Sequence, residues 1–429
     1  MAATFIAACL IFGIGAQDPN IPRQFVIALA ASWALFALNR QTWGIGSVGL
    51  AVIGGVFLLL VGLIGAADWR EGIHQLVLLA PFVALFLYLV HAVNWRETVP
   101  IAATGALAGV IGFQWIFPDI DGGFGNPNFL AEFIVIILPF VLFAAAKRTG
   151  CLPIFAAFVS ALAIWFLAFQ SPANLRIFAL VAPVVFFLWR ARKNIWTLSA
   201  SILLGLNLFI WIYVVRGNDI LGSVQSRLEL IINAGAMWLD SPLWGWGPGG
   251  FNYGYHRYQE VHLGFLPNYT VLGDVSTFAG TAHNEVVQLL AEHGIIGFIV
   301  AGLMLVAFLA RWRHKQKDWL DYAASWVLAE TAFLSLIGFP LHNAHTGLAA
   351  IVAAAVIVNG EKPILAFRGW NPVPAYVLGI SGLLMGATTA LVYAGEFKIT
   401  EVRMTMNSSP LRAFKANVEA YDLWPFNQL

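Results

Sequence analysis

Long apolar runs recur along almost the whole of this 429-residue chain. Each run is about 15 to 25 residues long, roughly the length a helix needs to cross a hydrocarbon core of ~30 Å. Hydrophobic residues make up 60% of the sequence and charged residues only 10%, far from the composition of soluble globular proteins. A membrane β-barrel would instead show short segments of alternating polarity. The sequence therefore predicts an all-α, polytopic integral membrane protein.

The apolar runs predict a bundle of about 12 to 13 transmembrane helices, of which the first and the twelfth are short. We place the spans at approximately 3–16, 24–38, 43–66, 73–93, 99–117, 128–146, 152–169, 175–189, 195–215, 286–310, 320–341, 345–358 and 373–394.

Basic residues are distributed unevenly between the two sides of this predicted bundle. With the N-terminus inside, the short outer loops hold little beyond Arg23 and Arg70. The inner loops collect Arg40, Arg96, Lys147, Arg148, Arg190, Arg192, Lys193, Arg311, Arg313, Lys315, Lys317, Lys362 and Arg368. Because cytoplasmic loops are enriched in Lys and Arg, this asymmetry predicts the orientation of the helices.

The same map divides the chain into four parts. Residues 1–215 hold the N-terminal transmembrane helices, 216–284 form one long outer loop with partial helices, and 285–394 hold the C-terminal transmembrane helices. Residues 395–429 form an outer tail, which Pro410 is expected to split into two helical pieces. A net charge of +1 gives no indication of nucleic-acid binding, and two cysteines are too few for a disulfide framework.

The outer loop carries two patterns with chemical meaning. Arg227 lies in an amphipathic helical start, and a block rich in glycine runs from Asp240 to Phe251. Gly247 and Gly249 belong to this block, whose backbone amides form either an anion-binding nest or a tight structural turn. An aromatic stretch with Tyr255 and Arg257 follows and suits carbohydrate contact, although structural loops use the same residues.

The most informative motif lies where the loop re-enters the membrane. His283-Asn284 is followed, after nine residues, by Gly294-Ile-Ile-Gly297. A titratable side chain at this boundary is suited to proton transfer, whereas boundary polar residues also cap helices. We expect the two glycines to permit close packing of helices.

Two further patches place polar residues at outer helix ends. Gly125-Asn126-Pro-Asn128 precedes a span, and Phe339-Pro-Leu-His342-Asn343 follows a later one. Asn126 and Asn128 are candidates for substrate contact or for helix capping, and His342 is a candidate for substrate binding.

Together these patches resemble the bacterial O-antigen ligase and O-antigen polymerase superfamily, which also includes protein O-oligosaccharyltransferases. The His-Asn-x9-Gly-x-x-Gly spacing and the Pro242-Leu-Trp-Gly-Trp-Gly-Pro-Gly block carry the resemblance. The family has a Ser-Arg-Gly-like turn where this chain reads Ser171-Pro-Ala-Asn-Leu-Arg176, so Arg176 takes the family's arginine role by position only.

The resemblance implies a GT-C-like membrane glycosyltransferase that works without a metal or other cofactor in the bacterial inner membrane. Its donor is a glycan on undecaprenyl diphosphate, and its acceptor is a hydroxyl of a glycan, of lipid A-core or of a protein at the periplasmic face. In this interpretation His283 is the general base or orients the acceptor, and Arg227 and Arg176 clamp the diphosphate. Asn284, Asn126, Asn128, Gly247, Gly249, Tyr255, Arg257 and His342 are the expected substrate-binding residues.

Two other classes of function compete with this one. A lipid-linked oligosaccharide transporter is favoured by Glu330, an acid near the middle of its span, because such acids are costly in lipid and usually functional. A non-catalytic assembly component would not need the histidine motif. Within the enzyme class, the motif spacing favours a ligase, with a polymerase or a protein-glycosylating enzyme as alternatives.

Overall fold

The computed structural model describes residues 20–38, 43–66, 68–92, 94–117, 126–146, 151–169, 227–263, 280–314, 318–367, 372–405 and 409–423. The expected spans at 3–16, 175–189 and 195–215, and Arg176, lie outside these residues.

Helices dominate the described part of the chain. They are α1 (Asn20–Leu38), α2 (Ser47–Gly62), α3 (Trp69–His91), α4 (Val99–Ile116), α5 (Pro127–Ala145), α6 (Cys151–Phe169), α7 (227–240), α8 (Gly250–Leu263), α9 (Glu285–His314), α10 (Trp319–Ser335), α11 (Ala344–Val358), α12 (Pro372–Thr405) and α13 (Pro410–Leu423). Short 3-10 helices, Leu63–Gly65 and Arg96–Thr98, follow α2 and precede α4.

Six helical segments within the described ranges are long and apolar enough to cross a membrane. They are Ser47–Gly65, Trp69–His91, Arg96–Ile116, Pro127–Ala145, Glu285–His314 and Ile380–Val402. The predicted class, an all-α polytopic membrane protein, is therefore confirmed.

The core lies where α5 and α11 cross the middle of the bundle. α5 packs against α4, α6 and α10, and α11 packs against α10 and α3. α1 lies between α3 and α12, and α9 packs along α2. Both central helices are buried on nearly all sides, which explains why their sequences are apolar without a polar stripe.

Local sequence signals set several helix ends. Asp68 caps α3 by accepting a hydrogen bond from the backbone N–H of Arg70. Asp318 and Asp321 form a reciprocal capping box at the start of α10. Both aspartates also bind Arg96 at 2.9 Å, which ties α10 to the start of α4 at one end of the bundle.

A short antiparallel pair of strands was not expected from the sequence. β1 (Trp43–Ile45) pairs with β2 (Leu365–Phe367), with Gly44 opposite Ala366. Three residues in each strand are too few to give a recognisable alternating pattern.

Several predicted ends differ from the observed ones. The span expected to reach residue 341 ends at Ser335, and residues 336–343 form a turn. The span expected to end at 394 continues without interruption to Thr405. α13 folds back on this extension, where Lys398 bonds to Glu419, so tertiary contacts prolong the helix beyond its apolar part. As expected, Pro410 begins a separate helix.

Candidate functional site

The glycine-rich turn between α7 and α8 docks against a break in α9. Gly294 has φ +59° and ψ −164°, which interrupts the helix. At this break, the Trp246 N–H donates to the Ala291 carbonyl and the Ile295 N–H to the Pro242 carbonyl, both at 2.9 Å. Gly294 thus admits the turn rather than a neighbouring helix, and the expectation of close helix packing at this glycine was wrong.

Glu292 accepts hydrogen bonds from backbone amides of this turn. Its carboxylate accepts hydrogen bonds from the N–H groups of Gly249 (3.3 Å) and Phe251 (3.4 Å). Its carbonyl accepts one from Gly247 at 2.8 Å. The amides that we considered for a nest therefore bond a carboxylate of the chain itself, which favours the structural interpretation.

The same turn also touches the connection between α2 and α3. A Cβ atom on Gly247 would lie 2.4 Å from the Cβ of Ala66, and one on Gly249 would lie 2.5 Å from the Cγ of Glu71. Both glycines have positive φ, +86° and +72°. Glycine is required here for the conformation and for the close approach.

His283 and Asn284 form the entry to α9. His283 has φ +51°, an uncommon conformation for a residue other than glycine. The Asn284 Oδ1 accepts hydrogen bonds from the N–H groups of Val286 and Val287, and its Nδ2 donates to the Leu336 carbonyl at 2.9 Å. Asn284 therefore caps the helix and ties it to the turn 336–343.

The turn 336–343 brings a second histidine to the first. The Phe339 ring lies edge-on to His283 at 4.7 Å between ring centroids and edge-on to His342 at 6.5 Å. Asn343 fixes the turn by bonding to Asn20 in α1 (3.4 Å) and to Glu132 in α5 (3.5 Å). Both histidine rings thus lie beside the same phenylalanine.

A row of polar side chains on the first two turns of α9 meets His342. The His342 Nδ1 lies 3.0 Å from the Glu285 carboxylate, and its Nε2 lies 3.3 Å from the Gln288 amide nitrogen. Gln288 in turn donates to Glu292 at 3.1 Å and accepts from the backbone N–H of Ala282 at 3.0 Å. The row connects the histidine motif, the late turn and the glycine-rich turn.

These groups face a cavity of about 1400 Å³. Its polar end is lined by His283, His342, Gln288, Glu292 and Glu71. Away from this end its walls are apolar and follow α2, α3 and α9, with α9 contributing residues as far as Phe308. From Gln288 to Phe308 a helix rises about 30 Å, comparable to the hydrocarbon thickness of a bilayer.

The structure brings about half of the predicted site residues to this cavity. Lining it are His283, Asn126, Gly249, Tyr255 and His342. Described residues that are not in its wall are Arg227, Asn284, Asn128, Gly247 and Arg257. The substrate roles of these residues remain predictions.

The predicted residues outside the wall have identifiable surroundings. Arg227 is half-buried at the start of α7. The Arg257 guanidinium lies over the rings of Trp246 and Tyr253 at 5.9 and 5.8 Å. Asn128 is half-buried, and its N–H donates to the side chain of Asn126, the N-cap of α5.

Tyr255 belongs to a buried polar group behind the cavity wall. Glu229 and Asn233, one turn apart on α7, are buried near it, and burial raises the pKa of both Tyr255 and Glu229. Neither carboxylate oxygen of Glu229, neither polar atom of Asn233, nor the Tyr255 hydroxyl forms a well-aligned hydrogen bond with any described residue. Such groups are uncommon in folded proteins.

Several residues at the site were missed from the sequence. Glu285, Gln288 and Glu292 recur at intervals of three and four residues, the spacing of one helix face, in an otherwise apolar segment. That periodicity is a signal that points to a polar face beside the motif. Arg23, which we expected in an outer loop, is fully buried in α1, and its sequence context gives no sign of this.

The charge of the cavity wall is unusual for a site proposed to hold a diphosphate. Among the described lining residues there is no Arg or Lys, and the ionisable groups are carboxylates, histidines and Tyr255. Within the same described residues, no three His, Cys, Asp or Glu side chains are arranged to hold a metal ion. Glu330, the acid that favoured a transporter, lies outside the wall and accepts a 2.7 Å hydrogen bond from Trp326.

Part of the chain matches a family of known proteins. Residues 133–302 match the family model described as O-antigen ligase. No curated protein matches the chain. The matched region spans α5 through the first half of α9, and so includes the glycine-rich turn, Tyr255 and the His283 motif. This region of the multi-pass membrane protein is therefore similar to the O-antigen ligase family.

Proposed function

We propose that the protein is a membrane glycosyltransferase that moves a glycan from undecaprenyl diphosphate to an acceptor hydroxyl at the periplasmic face of the bacterial inner membrane. The observation that carries the proposal is the position of His283, at the polar end of a cavity that continues between apolar helix walls. A polar head group and a long isoprenoid chain need such a combination of surfaces. The match of residues 133–302 to the O-antigen ligase family supports the same reaction class.

The reaction places two requirements on the protein. The acceptor hydroxyl must lose its proton as its oxygen attacks the anomeric carbon, and the departing diphosphate must be stabilised. A histidine near the cavity supports the first need, because its ordinary pKa of about 6.5 is close to ambient pH. His283 is the general base or the group that orients the acceptor. Direct displacement without a covalent intermediate inverts the anomeric centre.

Arginines are the proposed ligands of the diphosphate. Arg227 and Arg176 would bind its oxygens through their planar, permanently charged guanidinium groups, without a metal ion. Arg227 lies on α7, the helix that precedes the glycine-rich turn, and Leu230 of the same helix lines the cavity.

Ligation to lipid A-core is the version of the reaction that we propose first, with repeat-unit polymerisation and protein glycosylation as alternatives. The histidine motif and the glycine-rich block support the superfamily as a whole. The direct test is deletion of the gene, followed by gel analysis of surface glycans and of glycoproteins. Loss of long chains on lipid A supports ligation. A ladder reduced to single repeat units supports polymerisation, and a change restricted to a glycoprotein supports protein glycosylation.

Complementation of the deletion strain with variants shows whether the catalytic activity of the protein is needed, or only its presence in the membrane. We expect His283→Ala to accumulate to normal levels and to leave the glycan defect uncorrected. His91→Gln is a matched control, because His91 lies at the opposite end of α3 from Glu71 and the polar end of the cavity, is not part of the wall, and bonds to the Leu87 carbonyl. Full correction of the defect by His283→Ala would exclude the proposed role of this residue.

A further inference from the structure

The position of His342 indicates that His342 and His283 have different roles in the reaction. His342 faces the cavity, and about a third of its side chain (35%) is exposed. Its Nδ1 is held by Glu285, whose other carboxylate oxygen accepts the backbone N–H of Leu341 at 2.9 Å. One carboxylate therefore fixes both the ring and the backbone that carries it.

The hydrogen-bond network also selects the tautomer of the ring. The Gln288 Oε1 accepts from the Ala282 N–H, which orients the amide so that its nitrogen faces Glu292 and His342. One amide proton is donated to Glu292, and the other points to the His342 Nε2. Nε2 must then be the acceptor, so the neutral ring carries its proton on Nδ1, toward Glu285. A carboxylate on one nitrogen and a lone pair on the other is the arrangement of a histidine base.

The charges around His342 increase its affinity for a proton. Burial lowers the pKa of His342, but the carboxylates of Glu285 and Glu292 raise it more, to about 9. The ionisable groups that interact with the ring are Glu285, Glu292 and His293 on α9, and His283 lies beside the same Phe339 ring. The contact with the Gln288 amide, at 3.3 Å, is long and fits only the neutral ring. An acceptor hydroxyl entering the cavity competes for the same lone pair.

We propose that His342, oriented by Glu285, is the group that accepts the proton of the acceptor hydroxyl, and that His283 orients this hydroxyl. The inference rests on the proposed function. The O–H bond breaks as its proton moves to His342 Nε2, and the oxygen forms a bond to the anomeric carbon. The bond from that carbon to the diphosphate oxygen breaks, and polyprenyl diphosphate leaves with the electron pair. Glu285 is a positioning residue that keeps the Nδ1 proton in place.

The test is the pH dependence of transfer by the purified full-length protein in proteoliposomes, with a glycan on undecaprenyl diphosphate as donor. In the wild-type protein the rate rises with pH as His342 loses its proton. Glu285→Gln removes the charge and keeps a single acceptor oxygen, which can serve the Leu341 N–H or the His342 Nδ1 proton but not both. We expect it to move the midpoint of the rise to lower pH, toward the ordinary value of about 6.5 for histidine. His342→Gln should lower the rate by roughly 10² to 10⁴, the usual contribution of a general base.

The variants of His283 complete the test. His283→Gln should lower the rate but keep the wild-type midpoint, because the titrating group is intact, and His91→Gln should change neither. An unchanged midpoint in Glu285→Gln, or a near wild-type rate in His342→Gln, would overturn the inference. If the wild-type protein transfers no glycan, the proposed function fails instead. The Glu285–His342 pair is then tested on its own by a ¹⁵N NMR titration of His342 in wild type and Glu285→Gln, where equal pKa values would contradict it.

Discussion

The Leu243 carbonyl lies so close to Gly294 that a Cβ atom on Gly294 would approach its oxygen to 2.3 Å. This approach joins the glycine-rich turn to the helix that begins with the histidine motif. Two sequence patterns that are about 50 residues apart in the chain (Gly245 and Gly294) are thus two halves of one structural joint. The joint sets the position of Glu292, and through Gln288 that of His342.

Gly294→Ala should therefore destabilise the protein. Its φ and ψ lie in a region that is essentially restricted to glycine, where another residue costs about 1 to 3 kcal/mol, and the clash with Leu243 adds to this. Gly302→Ala on the same helix is the matched control, because a Cβ there meets no atom within 4 Å. Thermal unfolding in detergent should show a lower Tm for Gly294→Ala and an equal or higher one for Gly302→Ala. Equal Tm values for the two variants would contradict the joint.

The fold class followed from the sequence because long apolar runs have few alternatives in a membrane. The ends of the helices were less predictable. α10 stops at Ser335 although the next residues, Leu336 and Ile337, are apolar. The turn that follows is held by Asn284 at the start of α9 and, through Asn343, by Glu132 of α5. Contacts of this kind are tertiary and leave no local pattern.

The candidate site, like the fold, was predictable from the sequence only in part. The motif located His283, but its relation to His342 depends on a packing contact through Phe339, which lies 56 residues further along the chain. The anion-nest interpretation of the glycine run was undecided because only the structure reveals that Glu292 occupies the amides. The helical spacing of Glu285, Gln288 and Glu292 is visible in the sequence. Nothing in the sequence indicates that His342, in the turn 336–343, is the partner of Glu285 and Gln288.

Asn284 is expected to act through the helix end rather than through substrate. Asn284→Ala removes the cap of α9 and the bond to Leu336, and should cost about 0.5 to 2 kcal/mol of stability. Asn284→Asp keeps the cap but loses the amide donor, so its Tm should fall between those of Ala and the wild type. An increase in KM without any change in Tm would instead assign Asn284 to substrate binding.

The buried amide of Asn233 should contribute nothing to stability. Its side chain is fully buried and interacts with Tyr255 without a well-aligned hydrogen bond, so Asn233→Leu removes a desolvation cost and is expected to leave Tm unchanged or higher. Asn359→Leu is the contrasting variant, because Asn359 donates to the carbonyls of Leu89 and Val90. We expect it to lower Tm. A marked loss of stability in Asn233→Leu would show that the amide is paired in the folded protein.

The Glu285–His342 pair should also make stability depend on pH. The folded-state pKa of His342 is raised to about 9, against about 6.5 for an unfolded histidine, so the folded state binds this proton more tightly. The stabilisation is complete below about pH 6.5 and is lost as the pH rises through about 9. The Tm difference between the wild type and His342→Gln should accordingly shrink from about pH 6 to about pH 10. A difference that stays constant over this interval would contradict the ion pair.

Substitutions of Arg227 distinguish a residue that binds the diphosphate from a charge that is only solvated. If it binds the diphosphate, Arg227→Lys should weaken transfer because the planar fork is lost, and Arg227→Gln should weaken it further. Arg412→Gln is a suitable comparison, because the Arg412 guanidinium is exposed, bonds to Glu401 and is not part of the cavity wall. Initial rates at several donor concentrations measure the effect. Equal rates for Arg227→Gln and the wild type would remove Arg227 from the site.

Transfer by the purified protein alone tests the central claim most directly. A radiolabelled glycan on undecaprenyl diphosphate is incubated in EDTA with the protein in proteoliposomes and with lipid A-core, a shorter glycan or a glycoprotein as acceptor. We predict that label moves to one of these acceptors with release of undecaprenyl diphosphate, and that His283→Ala lowers the rate by roughly 10² or more. Label that stays on the polyprenyl carrier with every acceptor, or equal transfer by His283→Ala, would contradict the account.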